Sequence, residues 1–343
     1  MKTFNELKAS LISKGYTFQD ISKQNNISKE AEIPFIIKAL SIFGGITIMG
    51  LVLFLYVLLK LHDNNIITTI SGFLFVLGGV LMSRHKLSLL FNSFGITMFL
   101  SGIIWVILGL TSHNILEETT FGIIAGVGLL SWLFSGSYLL KTLGFITTGL
   151  ALVAFNYTPH KIDLQLLLIL YTSIFSVSIF LESKLLSNQW KVNSLFYAIR
   201  SASLFLMIYL LVCLSLNIND FNIEHKWISS IPFTLLIGYL TYILTNKLNL
   251  KTPIYAYLIT GIICAAAFMA PSILGGLTIL LFSFYVNYKT GFALGILSIL
   301  FFISRYYYDL NLTLLEKSGV MFGTGFLFIL MYLLIRKQLR YEK

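Results

Sequence analysis

The sequence predicts an all-α, polytopic membrane protein of about 12 transmembrane helices, with ten as the alternative count and both termini cytosolic (N-in/C-in). Three observations carry that expectation: an apolar composition, apolar runs that recur along the chain, and basic residues crowded onto alternate connections. Of the 343 residues 57% are apolar and only 11% charged, and the mean hydropathy is +0.86. A soluble domain carries about 25% charged residues, so charge here is too sparse to cover a water-exposed surface.

A bilayer-spanning helix takes roughly 20 mainly apolar residues. Twelve such runs fit between Pro34 and Arg336, at 35–60, 66–82, 87–110, 120–135, 137–157, 165–182, 194–215, 227–245, 253–269, 271–287, 290–304 and 318–335. The ninth to eleventh are short. Residues 34–336 therefore form the transmembrane domain, 1–33 a cytoplasmic N-terminal segment and 337–343 a basic cytoplasmic tail.

Charge tests this threading. With the N-terminus inside, nineteen basic residues fall on inner segments and five outside, at Lys60, Lys161, Lys226, Arg305 and Lys317. That skew is what the positive-inside rule demands, whereas acidic residues need follow no such rule. The pI of about 9.4 then reflects orientation and contact with the lipid bilayer rather than nucleic acid. Pro34, Pro232 and Pro253 fall near helix starts, where a missing N–H costs little.

In the first 33 residues, Phe4, Leu7 and Leu11 precede Gly15 at helical spacing, predicting a short amphipathic helix resting on the membrane. A cleavable signal peptide is not expected from so polar a stretch. The phrase YTFQDISKQNNIS has a loose helix-turn-helix look, but the helix that would enter a DNA groove begins at Pro34 and enters the bilayer instead. No nucleic-acid partner is expected.

Span centres hold no Asp, Glu, Lys or His, which weighs against ion-coupled transport. Arg200 is the deepest charge, placed either to reach the surface or to pair with Glu182. With Asn92, these form the candidate intramembrane polar contacts. His62, His113, His160 and His225 follow no metal-ligand spacing, and Cys213 and Cys264 lie in apolar runs. No cofactor, metal or catalytic residue is expected. Gly122/Gly126, Gly291/Gly295 and Gly319/Gly323, each four apart, are expected to let helix backbones approach.

The stretch RYYYDLNLTLLEKSG (305–319) concentrates polar chemistry on the outer side. Arg305 and the three tyrosines suit the outer interface, Asp309 and Asn311 a turn, and Thr313 with Glu316 a capping box for the returning helix. The candidate outer contact surface is Arg305, Tyr306, Tyr307, Tyr308, Asp309, Glu316 and Lys317.

The run YYYDLNLTLLEKSGVMFGTGFLFILMYLLIRK resembles the C-terminal signature of a group of bacterial membrane proteins, the domain of unknown function 4401 family, related to the 2157 group. The matching residues are Tyr307, Tyr308, Leu310, Leu314, Leu315, Lys317 and Ser318. Upstream, PFIIKALSIFGGI is similar to the family's first span through Pro34, Lys38, Gly44 and Gly45, with Phe35 and Ile46 where tryptophans are expected. The resemblance implies a multi-pass protein of the bacterial inner membrane and supplies no activity. The reading that follows is a non-enzymatic scaffold or binding partner in the cell envelope, acting with an envelope protein. The alternative is a transporter or flippase for a neutral or amphipathic small molecule, and an intramembrane enzyme ranks third.

Overall fold

A computed structural model describes residues 35–60, 64–84, 89–112, 117–155, 163–181, 190–216, 226–247 and 253–309, with scattered positions between 313 and 329. The described residues contain helices and no strand. In lipid every backbone N–H and C=O must find its partner within the segment, and a helix meets that condition.

The helices are α1 (Phe35–Leu58), α2 (Asn65–Arg84), α3 (Leu89–Ser112), α4 (Glu117–Phe134), α5 (Tyr138–Ala154) and α6 (Leu164–Phe180). They continue with α7 (Trp190–Leu216), a 3₁₀ turn (Lys226–Ser229) leading into α8 (Ser230–Lys247), α9 (Pro253–Ala267), α10 (Pro271–Val286) and α11 (Lys289–Asp309). Among the described residues, six helices are long and apolar enough to cross a membrane: those of α1, α2, α3, α7, α8 and α11. Helices α5, α6, α9 and α10 are apolar but shorter. The chain is therefore a multi-pass membrane protein. Each of the first eleven expected runs coincides with one helix. Of the twelfth run, the described positions are helical and the rest lie outside the described residues, as do segments 1–33 and 337–343.

Local chemistry sets the ends. Ser137 caps α5 by accepting from Leu140 N–H, and Asp163 caps α6 by accepting from Gln165 N–H. Pro271 opens α10, where its missing N–H is harmless. Two residues take the left-handed conformation that stops a helix, Lys60 after α1 (φ 53°) and Asn287 after α10 (φ 59°).

Successive helices alternate in direction around two cores. The first joins α2 to α5 around Phe99, Ile103 and Leu140. The second joins α6, α7, α8, α10 and α11 around Phe175, Met207, Leu210, Phe233 and Phe282. Packing of α5 on α7 connects the two. Large apolar side chains such as Leu74, Leu108 and Leu235 stay exposed on the outer faces of their helices, as expected where the surrounding solvent is hydrocarbon.

The tightest seam lies between α2 and α3. Gly72 and Gly79 on α2 face α3, and Gly95, Gly102 and Gly109 on α3 face α2, each set spaced by seven. A Cβ on Gly102 would stand 2.7 Å from the Val76 backbone N, and one on Gly79 2.6 Å from the Gly95 carbonyl O. Lipid tails are as apolar as leucine, so close van der Waals contact must supply the association that water exclusion supplies elsewhere. The expected glycine pairs fare differently. Gly295 packs on the backbone of Leu280 at 2.9 Å, but among the described residues nothing lies within 4 Å of a Cβ at Gly122, Gly126, Gly319 or Gly323. A spacing of seven, which keeps residues on one side of a helix over successive turns, carried the packing signal.

Candidate functional site

The alternating helices gather like ends together. At one end α2 stops at Arg84, whose Nε donates to Phe134 O at the end of α4 (2.6 Å). Beside it Gly136 N–H donates to Ser83 Oγ (3.0 Å). Tyr138 OH donates to Ser201 Oγ across α5 and α7 (2.9 Å). Arg200, one residue before that serine, lies with its guanidinium over the rings of Tyr288 (4.4 Å) and Tyr197 (5.0 Å). Lys247 lies over Tyr285 (4.8 Å). This end holds the basic residues Arg84, Lys141, Arg200, Lys247 and Lys289. Glu117, Glu118, Asp163 and Asp309 lie at the other end, together with Lys60, Lys226 and Arg305.

Arg200 is buried to 9% exposure, and the tyrosine rings are a finding the sequence did not predict. An aromatic face attracts a cation electrostatically, so the charge is held without leaving the bundle. Its expected partner Glu182 lies outside the described residues. Asn92 sits half-buried in the first turn of α3. The structure thus brings Arg200 to tyrosines on α7 and the α10–α11 turn. The four outer histidines lie outside the described residues, and no group of three metal-ligating side chains occurs among the described ones.

The opposite end carries a cleft of about 200 Å³, lined by the end of α7, the α9–α10 turn and the end of α11. Three contacts build it. Ser230 Oγ donates to Phe268 O (2.6 Å), which fixes the turn, and Ala270 N–H closes that turn on Ala267 O (2.8 Å). Ser272 Oγ donates to Leu211 O (3.3 Å), which ties the start of α10 to α7. Phe302, almost wholly buried, seats α11 beside them. One and two turns beyond that anchor the cleft receives Arg305, Tyr306 and Asp309 from α11, facing Ser215 of α7 and the first turn of α10.

Arg305 Nη2 and Asp309 Oδ1 form an ion pair at 3.0 Å, with the side chains 37% and 41% exposed. A solvent-screened i,i+4 pair contributes only about 0.3–0.5 kcal/mol, so it fixes the position of two charges more than it stabilises the helix. Arg305 Nε and Ser215 Oγ are buried and have no hydrogen-bond partner among the described residues. Leaving such a group unsatisfied costs about 1–3 kcal/mol, which a polar group entering the cleft would recover. Asp309 is the one carboxylate among the described residues of the lining.

The candidate surface divides. Arg305, Tyr306 and Asp309 come together in the cleft, while Tyr307 and Tyr308 stack edge to face beside it (5.9 Å), Tyr308 being 73% exposed. RYYYD forms the last turn and a half of α11, so the helix runs to Asp309, past the expected span end at 304, and the Arg305–Asp309 pair continues its spacing; Asn311, expected in the turn with Asp309, lies outside the described residues. Lys317 lies outside the described residues. The capping box forms as expected: Thr313 N–H donates to Glu316 Oε2 (2.8 Å), and Glu316 N–H donates to Thr313 Oγ1 (3.4 Å). Bonds from the Thr313 backbone and hydroxyl hold the Glu316 carboxyl below its ordinary value. Its cap is then complete above the ordinary glutamate range and lost as pH falls through the lower folded value. Carbon-13 NMR titration of Glu316 is expected to show that depressed midpoint, and Thr313→Ala, which keeps the backbone bond and loses the hydroxyl one, to raise it part of the way towards an ordinary glutamate value. An unchanged midpoint in the variant would contradict the cap. Ser215, Ser272 and the turn before Pro271 were missed in the sequence. The one available signal was Pro271 itself, placed between two short apolar runs.

Neither the curated proteins nor the solved structures contain a match to this chain. A scan against protein families matches residues 34–338 to a domain of unknown function, DUF4401. That match spans the whole helical domain, including both ends at which the resemblance was read. The chain belongs to the DUF4401 family.

Proposed function

We propose that the protein is a non-enzymatic binding component of the bacterial inner membrane. In this reading it is threaded twelve times with both termini in the cytosol, and it presents the Arg305–Asp309 cleft and the adjoining tyrosines to an envelope protein. One observation carries the reading: many interior hydroxyls are bonded within their own helices, while two buried donors without a partner among the described residues, Arg305 Nε and Ser215 Oγ, meet at one cleft; Trp132 Nε1, Ser135 Oγ and Ser283 Oγ are like cases elsewhere in the bundle. Thr172, Ser176, Thr241 and Thr278 each donate to a carbonyl one turn back in their own helix. Thr148 donates to Gly144 O and Thr147 to the same carbonyl. Hydroxyls that donate in this way have their one O–H satisfied without a ligand. The cleft instead offers two fixed charges, a buried Arg305 Nε and an exposed aromatic rim, and Tyr and Arg are residues in which binding energy concentrates.

A photo-crosslinking residue at Tyr308 tests this in living cells, with the exposed Tyr242 of α8 as the control position. The expected result is a discrete protein adduct from position 308 alone, lost when Arg305→Ala and Asp309→Ala are combined. Adducts equal at both positions, or unaffected by the double substitution, would remove the support for a partner at the cleft.

A further inference from the structure

We infer that the groove between α2 and α4 holds an acyl chain of an anionic phospholipid of the cytosolic leaflet, with Arg84 engaging its headgroup phosphate. The groove is a separate feature from the cleft at the end of α11, at the basic end of the bundle, with a volume of about 480 Å³. Phe73, Leu77 and Leu81 of α2 and Val127, Leu130 and Phe134 of α4 line it. Helices α2 and α4 each pack on α3, and make no extended contact with each other. That leaves a furrow open to the surroundings.

Its shape and charge select the occupant. From Phe73 to Arg84 the helix advances about 16 Å at a rise of 1.5 Å per residue. Half of a ~30 Å hydrocarbon layer is about 15 Å, so the furrow runs through one leaflet and stops. A partner's transmembrane helix would need a seam through the full thickness, and an acyl chain needs one leaflet. Apart from Ser131, whose hydroxyl donates to Val127 O (2.7 Å), the lining is apolar until its last α2 residue, Arg84, at the membrane surface. An occupant must therefore be apolar along its length and anionic at one tip.

Arg84 is fixed for that role. Its Nε donates to Phe134 O (2.6 Å), and its guanidinium lies over the Phe134 ring at 5.6 Å. The side chain is thereby drawn across the mouth of the groove, from α2 to α4. That bond uses Nε, and the terminal NH₂ groups of the fork have the geometry for two phosphate oxygens. Basic pockets between helices on the cytosolic side are where anionic headgroups bind. The inference rests on the proposed membrane orientation only for the word cytosolic, since binding itself is measured in detergent.

Native mass spectrometry of the purified full chain, with phosphatidylglycerol or phosphatidylcholine added, tests it. One phosphatidylglycerol is expected to be retained in preference to phosphatidylcholine. Arg84→Gln should weaken retention roughly tenfold, the loss of one charge-assisted contact, and Arg84→Lys should restore part of it. Leu130→Trp, at an exposed position inside the groove, should displace the lipid, whereas Leu108→Trp, exposed on α3 outside it, should not. Inorganic phosphate at equal concentration should not compete. Equal retention of both lipids, retention unaffected by Leu130→Trp, or a dimer that Leu130→Trp dissociates would each overturn the assignment. Labelling of the Arg84 end from outside the cell would overturn only the leaflet.

Discussion

Gly102→Leu is expected to abolish folding, and Gly102→Ala to destabilise the protein by about 1–3 kcal/mol. A methyl group at Gly102 would meet the Val76 backbone N at 2.7 Å and the Gly72 carbonyl O at 2.9 Å. Neither neighbour is a flexible side chain that can swing away, so α2 and α3 must separate. Separation loosens dispersion contacts all along a seam that includes Gly72, Gly79, Gly95 and Gly109. Loss at this seam also undoes the first core, because Val76, Val80, Phe99 and Ile103 meet across it. The internal control has the opposite sign. No described residue lies within 4 Å of a Cβ at Gly126 in the middle of α4, and Gly126→Ala is expected to be neutral or to stabilise by roughly 0.5–1 kcal/mol through helix propensity. Thermal unfolding of both alanine variants in the same detergent decides the matter. A Gly102→Ala protein that melts with Gly126→Ala would show that the seam does not depend on close approach.

Arg200→Ala is expected to cost about 2–4 kcal/mol, because it removes a buried cation from two aromatic faces, each worth about 2 kcal/mol when desolvated. The guanidinium is planar and weakly hydrated, whereas the lysine ammonium is a compact, strongly hydrated charge. Arg200→Lys should therefore recover only part of the loss. The ring matters more than the phenol oxygen: Tyr288→Phe should stay within about 1 kcal/mol of the parent, and Tyr288→Leu should lose about 2 kcal/mol. Burial pushes the Tyr288 phenol up, so the ring stays neutral at physiological pH and its face keeps its quadrupole. If Tyr288→Phe and Tyr288→Leu were equally destabilised, a hydrogen bond rather than the ring would be holding Arg200. The two sites lie far apart, at the α2–α3 seam and at the basic end of α7, so their effects should add.

The helices were legible in the sequence because the bilayer imposes a coarse rule. An apolar run long enough to cross must be helical, and its ends fall where polar residues and prolines resume. Pro253 and Pro271 begin α9 and α10 as read. Asn287 and Lys60, left-handed stops, were not anticipated. What the helices do to one another was less legible. Spacing by four marked Gly122 and Gly126, where no described residue lies within 4 Å of a Cβ, and overlooked the sevenfold set Gly95, Gly102 and Gly109. Which face of a helix meets a neighbour depends on the neighbour, and local spacing does not contain that.

The cleft at the end of α11 shows the same division. Arg305, Tyr306 and Asp309 stood out because charge is scarce in this chain. Ser215, Ser272 and the Phe268 carbonyl bond come from segments more than thirty residues away, and serine in an apolar run carries no distinguishing signal. The tyrosine partners of Arg200 were hidden for a related reason. A carboxylate was the expected counter-charge, and aromatic rings are too common in this sequence to suggest themselves.

The account stands on α11 crossing the membrane with its basic start in the cytosol and its tyrosine-rich end outside. Cysteine labelling measures this directly, in a background in which Cys213 and Cys264 are replaced by serine. Intact cells treated with a membrane-impermeant maleimide are expected to label Tyr308→Cys at once, and Lys289→Cys only after the membrane is permeabilised. Labelling of Lys289→Cys in intact cells, or of neither position until permeabilisation, would contradict the proposed threading.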